Sequence, residues 1–584
     1  MRDALGGAVD CAPSCELFLR SAHCASDLAS LLNDCGFVAL SKGRRRFRRA
    51  GPKPFSGRLC GLFFCLCPCR RPRGFGFDGD PSVGLDRNRA LRRGRSKLKK
   101  SGGGAGARAR RPKTKSAAKF GVFCAKIVKR SWGVGASCAS RCASKTRQER
   151  RRGKNPCNGR LLGMSMEKLV VEGGRPLSGE ICVSGAKNAV LPLMFASLLS
   201  DEELRLSNAP HLRDIETTVA LLRKMGGEVE VRGKELRLGC ARVSSLRADP
   251  ELVKNMRASI LMLGPTLARF GEAEVALPGG CAIGSRPIDQ HLKGLRALGA
   301  RIDDNGERVV AKSPRLKGAR FRFDVKTVGG TENVLMAACL AEGETILENA
   351  AREPEVEDLA RCLIEMGAEI YGAGTDKIRI VGVDRLKAAT HCVAPDRIET
   401  GTYLCAVSMV GGRAMLRNAA PRDMSAILDK VAQSGALIEC GDDWILVESS
   451  GRPRPVSATT EPYPGFPTDM QAQLMAMDCV ADGESRIEET IFENRMMHVA
   501  QLRKLGADIE LLDGKSKALV RGVDRLKGAE VVATDLRAAA SLLLAALSAD
   551  GQTSIDRIYH LDRGYDDIAG KLNSIGAKIK RVQA

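Results

Sequence analysis

The chain has 584 residues, with 93 Lys+Arg against 68 Asp+Glu, a formal net charge of +25 and 21 cysteines. Two or three domains fit that length, and the charge points first to a nucleic-acid partner. Its distribution argues against one, because residues 1–165 hold 38 of the basic residues and few acids, while the remainder holds slightly more acid than base.

Residues 1–165 show no sustained period of 2 or 3.6. They contain runs such as Arg44-Arg45-Arg46-Phe47-Arg48-Arg49 and Ser101-Gly102-Gly103-Gly104. Such a composition buries too little apolar surface to offset chain entropy, so disorder is expected. Three readings stay open: a spurious upstream extension before a true start at Met164 or Met166, an Arg-rich targeting segment, and a basic tail that binds nucleic acid. The cluster Cys60, Cys65, Cys67 and Cys69 has no His nearby and suits no zinc pattern. The nine cysteines after residue 165 are scattered singly, which argues for reduced thiols and a cytoplasmic location. No apolar run approaches the roughly 20 residues that span a bilayer, and no membrane partner is expected.

From Met166 the pattern changes. Met166 to Val171 reads as a strand. An amphipathic helix, a Gly and an alternating strand then recur around Met225-Gly226-Gly227, Leu298-Gly299-Ala300, Met366-Gly367-Ala368, Ser434-Gly435-Ala436, Leu505-Gly506-Ala507 and Ile575-Gly576-Ala577. The glycines lie 73, 68, 68, 71 and 70 residues apart, which marks a repeated supersecondary unit. In the first copy Ile215, Val219 and Leu222 share a helix face. Gly226 suits a left-handed cap, and Glu228 to Val231 alternates as a half-buried strand. A second phrase, Ala341-Glu342-Gly343-Glu344, returns as Ala481-Asp482-Gly483-Glu484 and Ala549-Asp550-Gly551-Gln552, and reads as helix end, turn and strand start. Six units of this length predict an α/β (α+β) protein of several units per domain.

Four kinds of segment look chemical, each with an ordinary alternative. Ser184-Gly185-Ala186-Lys187-Asn188 precedes an apolar run. A helix start there can meet an anion, with Lys187 as a point charge; alternatively Lys187 is solvated. Pro278 to Pro287 is a Gly- and Pro-rich loop around Cys281 and Arg286, where the Arg favours thiolate; the alternative is a small buried residue in a turn. Asp469, after Phe466-Pro467-Thr468, is a helix-capping acid or a general base. Arg257, Arg495, Arg537 and Arg563 lie near expected element ends. They pair on the surface, or gather with Lys187 and Arg286 around a multiply anionic ligand.

These segments, with Asn349 to Glu355, Pro395 to Thr402, Phe492-Glu493-Asn494-Arg495 and Asp562-Arg563-Gly564-Tyr565, closely resemble the UDP-N-acetylglucosamine 1-carboxyvinyltransferases. The resemblance runs in order from Met166 to the C-terminus and covers none of residues 1–165. It implies two domains, each of three similar units packed as an inside-out α/β barrel, with the active site in the cleft between them. One domain would be 187–394 and the other 166–186 plus 395–584. It also implies transfer of the enolpyruvyl group of phosphoenolpyruvate to the 3-hydroxyl of UDP-N-acetylglucosamine, the first committed step of peptidoglycan precursor synthesis. The enzyme would be a cytoplasmic, mostly monomeric one without metal or organic cofactor.

By the same resemblance Cys281 is the general acid, forms a covalent adduct and is the target of fosfomycin. Lys187, Asn188, Arg286, Arg495, Arg537 and Arg563 match the phosphoenolpyruvate site, and Asp469 the acid at the sugar hydroxyl. Arg257, Arg286, Pro287, Ile288, Asp289, Gln290, Thr327, Val328, Gly329, Asp469 and Ile491 match the sugar-nucleotide site. Some members carry Lys where this chain has Val325, which leaves one uridine-side contact in doubt. The rivals are the sister enzyme acting on shikimate phosphate, a nucleic-acid binder driven by the basic N-terminus, and an inactive relative. The intact set Lys187, Cys281, Arg286, Asp469 and Arg563 argues against the last.

Overall fold

The computed structural model describes residues 167–277 and 287–583. Residues 1–165, with their Cys cluster and their expected disorder, and the segment holding Cys281 and Arg286, lie outside the described residues.

The repeated glycine is a conformational requirement. Gly226, Gly299, Gly367, Gly435, Gly506 and Gly576 have φ between +91° and +112°, where a Cβ would be strained. Each follows an amphipathic helix: Arg213–Lys224, Asp289–Ala297, Pro354–Glu365, Ser425–Gln433, Val499–Lys504 and Ile568–Ser574. At Gly299 the Ala300 N–H reaches back to the Leu295 carbonyl at 3.1 Å and the Gly299 N–H to the Arg296 carbonyl at 2.9 Å. Those two bonds close the helix end and turn the chain into a strand. The second phrase also holds: Gly343, Gly483 and Gly551 have positive φ, and strands Glu344–Glu348, Glu484–Glu488 and Gln552–Asp556 begin at the next residue.

Among the described residues the strands form six small sheets, five of four strands and one of three. In four of the four-stranded sheets one strand runs parallel to the first strand of a unit, whose other edge pairs antiparallel with a hairpin. Arg320–Arg322 beside Glu344–Glu348 is one example. In the fifth, Glu167–Glu172 and Lys578–Gln583 take the hairpin's place beside Gln552–Asp556. The three-stranded sheet keeps a remnant of that parallel strand as the bridge Arg247 to Glu274. The first unit departs from the alternation expected of it, because Val229 is buried but Val231 is 44% exposed.

The described residues hold two hydrophobic clusters, each drawing on strands and helices. The first spans Ala186 to Val393; the second joins Leu169–Val183 to Ile398–Ile579. Each contains three helices buried on most sides: Lys187–Ala196, Leu263–Phe270 and Val328–Ala338 in the first, and Arg397–Val410, Gln471–Asp478 and Leu536–Ser548 in the second. Apolar residues all round such a helix make burial its stable state. Thr266 Oγ1, Glu332 Oε1, Gln471 Oε1 and Gln473 Oε1 have no hydrogen-bond partner among the described residues, while others of their polar groups are bonded to neighbours. Asn333, for example, accepts from the Gly264 N–H at 2.7 Å and donates to the Ile260 carbonyl at 3.1 Å.

The chain passes between the clusters at 183–187 and again at 393–398, and the two passages are bonded together. The Ala186 N–H donates to the Ala394 carbonyl at 2.7 Å, and the Asp396 N–H to the Ser184 carbonyl at 2.9 Å. Gly185 sits in this junction, where an added Cβ would lie 1.9 Å from the Asn208 carbonyl oxygen. Backbone cannot yield as a side chain does, so Gly185→Ala is expected to cost about 1–3 kcal/mol. Thermal melts should show a clear loss for Gly185→Ala and none for Gly451→Ala, whose Cβ meets nothing within 4 Å; equal melts would contradict this packing.

Candidate active site

Lys187 opens a helix whose core-facing residues leave little room for water, and it is only 9% exposed. Its backbone N–H points to the Asp396 carboxylate at 3.3 Å, so this helix start already has an internal anion. Its Nζ lies 2.7 Å from Asp214 Oδ2. Asp214 also accepts from Arg563 Nε at 2.9 Å and Nη2 at 3.3 Å. Lys187 and Asp214 belong to the first cluster's segment and Arg563 to the second's, so this triad bridges them.

A second triad stands close by. Asp469 accepts from Arg495 Nη2 at 2.8 Å and from Arg537 Nη2 at 2.9 Å. Both arginines are buried, at 5% and 3% exposure. Asp469 sits in the turn Thr468–Met470 and caps no helix through its side chain, so the capping alternative fails. Arg537 lies over the Tyr565 ring, 5.4 Å from its centre, and its buried Nε and Nη1 have no hydrogen-bond partner. An unsatisfied buried guanidinium edge is costly, and its natural complement is an anion.

The charges tune one another. Burial raises the Asp469 carboxyl, but Arg537 and Arg495 overcome this and hold it well below the usual carboxylate range. Burial likewise raises Asp214, and Lys187 with Arg563 brings it below its ordinary value. Burial lowers the Lys187 ammonium, as do Arg563 and Arg537, against the opposing pull of Asp214. The two triads thus hold four cations and two carboxylates, with the Asp396 carboxylate beside them, an excess of positive charge suited to a small anion.

The structure therefore gathers Lys187, Asp469, Arg495, Arg537 and Arg563, none of them in a solvated surface pair. Asn188 is exposed beside them. Pro287 to Gln290 start another helix, where Gln290 and Lys293 bond to Asp289 and Asp324. Thr327 caps the helix Val328–Ala338 by accepting from the Gly330 N–H at 3.2 Å. Arg257 begins a 3-10 turn, and Ile491 is 36% exposed. Val325 is exposed at 60%. Asp214 was missed. An acid in a first helical turn is ordinary by itself, but Asp214 shares the buried face with Thr218 and Leu221, and an acid at i, i+4, i+7 with core residues is the signal that marks it.

Among the described residues no group of three His, Cys, Asp or Glu is placed to hold a metal ion, and no helix is long and apolar enough to cross a membrane. Residues 171–572 match the family described as EPSP synthase (3-phosphoshikimate 1-carboxyvinyltransferase). Two solved structures share the fold. The enolpyruvyl transferase NikO from Streptomyces tendae is 24% identical with a TM-score of 0.65, and an EPSP synthase from Acinetobacter baumannii is 18% identical with a TM-score of 0.56. Each alignment covers 72% of this chain and 100% of the other. The chain belongs to the EPSP synthase family of carboxyvinyl transferases, enzymes that use phosphoenolpyruvate and a second small substrate.

Because both acids have depressed folded-state pKa values, the stability they contribute is present above their unfolded values of about 4 and is lost as pH falls further. The melting-temperature gap between wild type and Asp469→Asn should thus be widest near neutral pH and shrink below about pH 4. A gap that stays constant from pH 7 to pH 3 would contradict the ion pairing.

Proposed function

We propose, from the premise of family membership, that the chain transfers the enolpyruvyl group of phosphoenolpyruvate to the 3-hydroxyl of UDP-N-acetylglucosamine, with release of phosphate. The observation that carries the donor half is the convergence of Lys187, Arg495, Arg537 and Arg563, with the unpartnered edge of Arg537 among them. The acceptor half rests on the sequence around Cys281, Arg286 and Asp469. In this reading the two clusters are the two domains, 187–394 and 166–186 plus 395–584, packed as inside-out barrels around the cleft. The protein acts in the cytoplasm as a monomer, on the path to peptidoglycan, without nucleic acid, membrane or cofactor.

The mechanism is addition followed by elimination. Phosphoenolpyruvate enters with Lys187, Arg286, Arg537 and Arg563 on its phosphate and carboxylate, and Arg495 and Asn188 beside it. Its charge draws Arg495 and Arg537 away from Asp469, which relaxes the hold that keeps this carboxylate weakly basic. Asp469 then takes the proton of the sugar hydroxyl as that oxygen bonds to carbon 2 of the donor. Cys281 supplies a proton to carbon 3, and the cations stabilise the tetrahedral adduct. Loss of phosphate, with return of a proton from carbon 3, restores the double bond. Arg257, Pro287 to Gln290, Thr327 to Gly329 and Ile491 hold the nucleotide sugar. The Cys281 thiol makes the enzyme sensitive to fosfomycin.

A second reading follows from the description of the matching family: the acceptor is shikimate 3-phosphate. Phosphate release from phosphoenolpyruvate with each acceptor in turn separates the two. The first reading predicts release with UDP-N-acetylglucosamine alone, inactivation by fosfomycin, and a loss of about 100-fold or more in Cys281→Ala, the scale of a general acid. Release with shikimate 3-phosphate alone, or a fully active Cys281→Ala, would overturn it.

A further inference from the structure

We propose that Asp214 is a positioning residue of the donor site, holding Lys187 and Arg563 side by side across the two clusters so that one anion can engage both. The inference rests on the reading of Lys187 and Arg563 as donor-site cations. Asp214 is 5% exposed, and its Oδ2 meets Lys187 Nζ at 2.7 Å while Oδ1 accepts from Arg563 Nε at 2.9 Å.

The neighbouring residues reinforce the same alignment. Arg213 lies 3.7 Å from Asp562, so two consecutive residues of one helix start pair with two consecutive residues at the end of the turn Ile558–Arg563. Asp562 is in turn held by Arg581 at 2.6 Å. This crossed double pair fixes the position of Arg563 against the first cluster. Removing one partner of a buried pair leaves the other charge uncompensated.

The charge on Lys187 depends on the same contact. Around it stand Asp214 from its helix start, Arg563 from the turn, Arg537 from the helix Leu536–Ser548, and Asp396, which accepts its backbone N–H. Burial and the two arginines all disfavour the ammonium, and Asp214 opposes them. Without Asp214 the lysine loses its proton at lower pH and grips an anionic phosphate poorly.

The test uses the full chain with Asp214→Asn and Asp214→Glu. The pH dependence of Lys187 acylation, read by peptide mass spectrometry, gives the titration of that amine with no substrate present. Asp214→Asn should move this titration down by about one pH unit or more, with the alkaline limb of activity moving alike. The KM for phosphoenolpyruvate should rise by about 10-fold. Asp214→Glu should keep the wild-type titration but raise KM several-fold, and it carries the test if Asp214→Asn loses its cooperative melt. An unchanged Lys187 titration in a folded Asp214→Asn, or an unchanged KM in Asp214→Glu, overturns the proposal. If the wild type releases no phosphate while Lys187 still shifts, the function fails and the hold of Asp214 on Lys187 stands.

Discussion

The rest of the arrangement hangs on the Asp396 carboxylate. Its Oδ1 accepts from the Ile398 and Glu399 N–H groups and so starts the helix Arg397–Val410, while its Oδ2 takes the Lys187 N–H. One side chain therefore begins a central helix of the second cluster and pins the first residue of a central helix of the first. Around it Glu399 accepts from the Ser184 N–H at 2.9 Å and from Lys571 Nζ at 2.6 Å, and Arg397 forms a two-pronged pair with Glu355. Burial raises Glu399 above its usual range in spite of Lys571, and the buried position of these groups makes each partner costly to lose. The junction thereby fixes where Lys187 stands relative to Asp469, Arg537 and Arg563.

Much of this was legible in the sequence, for identifiable reasons. The six glycines announced the repeat because the turn after each helix needs positive φ, a demand that residue identity records directly. The apolar stripe of Ile215, Val219 and Leu222 recorded a helix face in the same way. The pairing of distant strands left no such mark. Nothing local shows that Leu177–Cys182 runs beside Gly412–Arg417, or that Ala389–Cys392 returns to Glu203–Ser207. The charged site was half legible. Lys187, Asp469, Arg495, Arg537 and Arg563 could be picked out by their settings and by resemblance, whereas Asp214 is an acid in a first helical turn, ordinary unless its register with Thr218 and Leu221 is weighed.

The two carboxylates give the site its character. Asp214 pairs with Lys187 and Arg563, and Asp469 with Arg495 and Arg537, the cations assigned to the donor in the proposed function, so much of their buried charge is compensated within the protein. A fixed set of dipoles and charges needs little reorganisation during reaction, which is where electrostatic catalysis gains its advantage. The roles of the two acids then diverge. Asp214 bridges the clusters, whereas both arginine partners of Asp469 come from the second cluster's own segment, which in the proposed function leaves Asp469 to exchange them for a substrate.

The central claim is that one anion is held jointly from both sides of the junction, and a double-mutant cycle on phosphoenolpyruvate affinity tests it most directly. Lys187→Ala and Arg563→Ala are measured singly and together. Joint grip predicts that the double variant loses far less than the sum of the single losses, with a coupling of about 0.5–3 kcal/mol. Strictly additive losses, or single variants that bind as the wild type does, would contradict it.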